Sequence, residues 1–60
     1  MREFALIELM YMTRQELFGL HAQISGQLPQ LPEGSPERRI AQVNLCNIQM
    51  ALAHFTLSPS

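Results

Sequence analysis

From Glu37 to Ser58 the chain contains neither proline nor glycine, and Ser35-Pro36 stands immediately before that run. Serine is a preferred helix N-cap, proline suits the first helical position, and an acidic first turn complements the helix dipole. The combination predicts one long helix over residues 36–54, reaching Phe55 at most, with residues 56–60 as a frayed tail. At 1.5 Å per residue such a helix is about 28 Å long. The rest of the chain has to cover it.

That helix carries apolar residues around most of its circumference. On a wheel, Ile40, Asn44, Asn47, Ala51 and His54 form one seam. Ala41, Leu45, Ile48, Leu52 and Phe55 flank it on one side, and Val43, Cys46 and Met50 on the other. Only Arg38, Gln42, Gln49 and Ala53 make a solvent-facing strip. A helix of this kind needs cover on several sides.

A second helix start lies upstream. Thr13-Arg14-Gln15-Glu16 has capping-box spacing, and Met12 and Leu17 occupy the positions of a hydrophobic staple. Leu17, Leu20, Ile24 and Leu28 recur at three- and four-residue spacing, with Phe18 widening the stripe. A helix over 14–28 follows, ended by Pro29 because a residue before proline avoids the helical region. Gly19, Ala22 and Gly26 share the opposite face, either a tolerated cost or an approach path for the N-terminal segment or a partner. Residues 29–35 read as a rigid proline-containing loop with Leu31 tucked inward and Gly34 at a turn, in preference to an SH3-type Pro-x-x-Pro ligand. Residues 3–12 form a separate short apolar segment, helical in part. The expected fold is all-α: a helical hairpin with a short N-terminal segment, one domain over residues 1–60.

A core this small contributes only about 3–5 kcal/mol without a staple. Cys46 is the sole cysteine, so no intramolecular disulfide exists, and it reads as a small buried hydrophobe in a reducing, cytoplasmic setting. His21, Cys46 and His54 have no zinc-site spacing; Cys46 and His54 lie about 12 Å apart along a helix. Each histidine is expected to be a boundary residue, and no metal or cofactor is expected. Self-association is the remaining staple, giving a homodimeric four-helix bundle. Ile40, Asn44, Asn47, Ile48 and Ala51 are the expected dimer contacts, the amides setting register as buried polar residues do in helix seams. The alternative for the amides is a bond to the connecting loop or contact with solvent.

Composition narrows function further. The chain has four Arg, five Glu, neither Lys nor Asp, and a net charge of −1. Nothing is arranged for proton transfer or nucleophilic attack, so no enzyme and no small-molecule substrate are expected. Phe4–Met12 is too short to span a bilayer, lacks a signal-peptide cleavage pattern, and carries Glu8, which with Glu3 opposes binding to anionic lipid. Met1 at its start suggests a complete small reading frame. The expected function is a small regulatory or adaptor protein acting through protein contacts, with Phe4, Ile7 and Tyr11 as candidate partner contacts. The alternative is an RNA- or DNA-binding regulator using Arg14, Arg38 and Arg39. The hairpin-dimer architecture resembles that of the repressor-of-primer family, whose members bind paired RNA loops; no sequence motif carries that likeness.

Overall fold

The structure, a computed structural model, describes residues 1–57. It contains three helices, α1 (Leu6–Met10), α2 (Arg14–Gln27) and α3 (Pro36–Leu57), and a 3-10 turn at Leu28–Gln30. No strand occurs among the described residues. The molecule is a rod of 41 × 17 × 15 Å with a radius of gyration of 12.0 Å, against about 10 Å for a compact chain of this length. α3, at 22 residues, sets the long axis.

Local chemistry defines each boundary. Glu16 N–H donates to Thr13 Oγ1 at 3.1 Å and Thr13 N–H to Glu16 Oε1 at 2.8 Å, closing both halves of the capping box. At the other end of α2 the proline rule gives way. Leu28 is helical (φ −54°, ψ −46°), and the chain tightens into a 3-10 turn holding Pro29 at its start, where no N–H is required. The extended residue before a proline comes instead at Leu31 (φ −90°, ψ 133°), ahead of Pro32. Ser35 N–H then bonds Pro32 C=O at 3.1 Å, with Gly34 at φ +79° in the turn. Ser35 Oγ accepts from Arg38 N–H at 3.2 Å and caps α3. That helix continues through Thr56 to Leu57, beyond the predicted end; the rest of the expected tail, residues 58–60, lies outside the described residues.

The core is one cluster: Leu9 from α1, Leu17 and Ile24 from α2, and Ala41, Ile48 and Ala51 from α3. Phe4, Met12, Leu20, Leu28 and Leu31 pack against it half-buried. The buried face of α3 is therefore displaced from the predicted seam toward Ala41, Asn44, Ile48 and Ala51. α2 covers one side of it. α1 and the non-helical residues 1–5, here termed the strap, cover the other, with α1 packed on α3 in preference to α2. Three predicted placements change. Phe18 is exposed, its ring 5.5 Å from the Arg14 guanidinium carbon; Cys46 is exposed; and Arg38 leaves the solvent strip. Phe18 and Cys46 sit on helix faces that a 60-residue chain has no third layer to cover.

Gly19 and Gly26 have open space where a Cβ would stand, so none of the described residues packs against either position. Each glycine costs a helix interior roughly 0.5–1 kcal/mol relative to alanine. Gly19→Ala combined with Gly26→Ala should raise stability by about 1–2 kcal/mol, which thermal melting reads as a rise of several degrees. A lower melting temperature would show that something outside the chain occupies the space.

Candidate interaction surface

Asn44 is fully buried, and its carboxamide is spent on main chain. Phe4 N–H donates to Asn44 Oδ1 at 2.8 Å, and Asn44 Nδ2 donates to Arg2 C=O at 2.9 Å. The amide thus grips the two backbone groups on either side of Glu3, as a neighbouring strand would. Asn47 Nδ2 adds a bond to Phe4 C=O at 3.2 Å. These contacts answer why α3 carries amides in an apolar run: the strap has no ladder or helix of its own, and its buried polar groups need partners. Neither the connecting loop nor solvent takes that role. Within one chain Asn44, Ile48 and Ala51 have no surface left to offer, whereas Ile40 and Asn47 are half-buried.

An exposed set of contacts reinforces the strap. Arg2 makes a paired contact with Glu8 (2.8 and 3.2 Å) and stacks 4.2 Å above the Phe4 ring. Glu8 also accepts from Ala5 N–H at 3.0 Å, which starts α1 where Ala5 has no side-chain oxygen for the reciprocal bond. The Arg2 guanidinium, followed by that N–H, holds the Glu8 carboxyl below its usual range, and Thr13 N–H, followed by the Thr13 side chain, does the same for Glu16. A carboxyl lowered in the folded state stabilises fully above its unfolded value, near 4.3, and loses that stabilisation as pH falls through the folded value. Helicity followed by circular dichroism should therefore begin to fall below about pH 4.3. Glu8→Gln and Glu16→Gln together should flatten that limb, and an unchanged acid limb would remove the two carboxyls as its cause.

Of the candidate partner contacts, Phe4 is folded against the core, whereas Ile7 is 65% and Tyr11 86% exposed. Met10 joins them at three- and four-residue spacing on the outer face of α1 and its exit. A second apolar strip runs along the outside of α3 through Val43, Cys46 and Met50. On the wheel these three only flank the seam, because a wheel does not show which side the strap covers.

The three candidate arginines have different surroundings. Arg38 turns back on the connection, donating to Leu31 C=O at 3.0 Å and Leu28 C=O at 3.3 Å, so it closes the end of α2 instead of facing solvent. Arg14 is exposed and lies over Phe18, and Arg39 is exposed beside the α3 start, in an open groove with Glu33 and Arg38. A further groove of about 550 Å³ separates the strap from α2, with Leu20, Ile24 and Leu31 among its lining residues.

His21 Nδ1 lies 3.3 Å from Ser25 Oγ, and His54 meets Phe55 edge-on at 6.4 Å. Among the described residues no three His, Cys, Asp or Glu side chains cluster to hold a metal, and no helix is long and apolar enough to cross a membrane. No family model, curated protein or solved structure matches the chain.

Proposed function

We propose that the protein is a small non-enzymatic regulator or adaptor that works through protein contacts as a homodimer, in the reducing setting that a lone thiol at Cys46 suits. One observation carries this reading: large apolar side chains stand exposed on two helical strips, Ile7-Met10-Tyr11 and Val43-Cys46-Met50, on a chain too small to cover them. The nucleic-acid alternative would have to rely on the exposed Arg14 and Arg39, because Arg38 is committed to loop carbonyls.

Sedimentation equilibrium of the purified chain over a wide dilution range tests the homodimer. A reversible monomer–dimer equilibrium is expected, weakened by Met50→Glu if the α3 strip is part of the contact. A monomer at every concentration would leave the apolar strips to a different protein and end the homodimer half of the reading.

A further inference from the structure

We propose that residues 1–12 exchange between two copies, the strap and α1 of each chain docking on the Asn44–Asn47 face of the other while the bend at Tyr11–Thr13 straightens into helix. The inference rests on the homodimer reading and specifies its geometry.

Exchange is written into how the strap is held. Three hydrogen bonds between the Asn44 and Asn47 amides and main-chain atoms of Arg2 and Phe4 anchor it, and these cannot distinguish the chain's own strap from a neighbour's. α1 packs on α3 in preference to α2, the helix to which it is joined. Residues 1–12 are therefore one docking unit on a short tether, the arrangement from which identical copies swap elements at little cost.

The tether is poised for it. Tyr11-Met12-Thr13 contains neither proline nor glycine, and Tyr11 is already near helical (φ −87°, ψ −8°). Thr13 is extended (φ −71°, ψ 161°) and held so by its capping box with Glu16. With Thr13 turned into the helical region, α1, the three linking residues and α2 become one helix over residues 6–27, of 22 residues, equal to the 22 of α3. Two hairpins with arms of matched length are the units of a four-helix bundle. The exposed Ile7, Met10 and Tyr11 surround the bend, where a swapped pair gains contact that the closed monomer lacks. In dilute solution the chain's own strap prevails, since a short tether gives it an effective concentration of about millimolar.

Two substitutions push the bend in opposite directions. Arg14→Pro is tolerated in the closed form, where Pro occupies the first position of α2 after an extended residue, but it breaks a continuous 6–27 helix. Thr13→Ala removes the cap that holds the bend, worth roughly fivefold per hinge and so about twenty-five-fold for a dimer with two. The dimer dissociation constant should fall about twenty-five-fold in Thr13→Ala, and Arg14→Pro should be monomeric with its helicity retained. On the unaltered chain, a mixture of carbon-13-labelled and unlabelled protein at high concentration should show nuclear Overhauser contacts between the Phe4 ring of one copy and α3 methyl groups of the other. A dimer whose Phe4 contacts stay within one chain, or one that survives Arg14→Pro, overturns the exchange and leaves the homodimer standing. A monomer throughout, Thr13→Ala included, overturns both.

Discussion

Ile48→Ala should leave the chain close to its unfolding midpoint at 25 °C. Ile48 is fully buried in the middle of α3, within the cluster where α1, α2 and α3 meet. Truncating a buried isoleucine to alanine costs about 2–5 kcal/mol, through lost apolar transfer and the cavity left behind. A single core of this size supplies only about 3–5 kcal/mol in all, so one side chain carries most of the margin. Urea titration followed by far-ultraviolet circular dichroism measures the loss. Val43→Ala, on the outer face at 37% exposure, is the control and should cost below about 1 kcal/mol in the monomer. If Val43→Ala proved as damaging as Ile48→Ala, the outer face of α3 would be buried in solution, and a second copy would be the covering surface.

Asn44→Ala should release the strap. The substitution deletes an acceptor for Phe4 N–H and a donor for Arg2 C=O, and leaves both main-chain groups without partners beside an apolar core. Losing partners for buried polar groups costs about 1–3 kcal/mol each. The loss has a ceiling, because the strap can swing out and hydrate, giving up the Phe4 packing and the remaining Asn47 bond. The expected outcome is a folded α2–α3 hairpin with residues 1–5 undocked and overall stability lowered by about 2–3 kcal/mol. Asn47→Ala removes one partly exposed bond and should cost nearer 1 kcal/mol. Hydrogen exchange at the Phe4 amide separates the two variants: fast in Asn44→Ala, still protected in Asn47→Ala. Full protection of Phe4 in Asn44→Ala would mean that packing and the Asn47 bond hold the strap without Asn44. Asn44→Leu sharpens the test, since it restores apolar volume but no hydrogen bond.

Both predictions concern the face of α3 turned toward its own chain. Its opposite face, through Val43, Cys46 and Met50, is left exposed by the described residues. Small chains commonly meet this problem by association, and that is why the proposed function is one of contact.

Helix starts were legible from residues alone, because capping is local chemistry: Thr13 with Glu16, and Ser35 with Pro36, need only their neighbours within one turn. The stripe Leu17-Leu20-Ile24-Leu28 and the turn at Gly34 belong to the same class, since spacing and backbone freedom decide them. α2 ends within one residue of the expected Leu28, but not for the expected reason: Leu28 is itself helical, because the preference of a residue before proline is a bias of modest size and a 3-10 turn accommodates Pro29 at its first positions. Arg38 was misplaced because a wheel assigns a direction to a side chain and cannot see the carbonyls of Leu28 and Leu31 that fill its reach.

Asn44 marks the limit of sequence reading for this chain. Its position on α3 follows from helical period, and period says that a buried amide there must find a partner. Which partner depends on contacts with residues 40 and 42 positions away. Local rules end at about one helical turn. The strap, the exposure of Cys46 and Phe18, and the division of α3 into a covered and an uncovered face were decided only when the N-terminal segment packed on α3, by the competition among faces for a limited amount of chain.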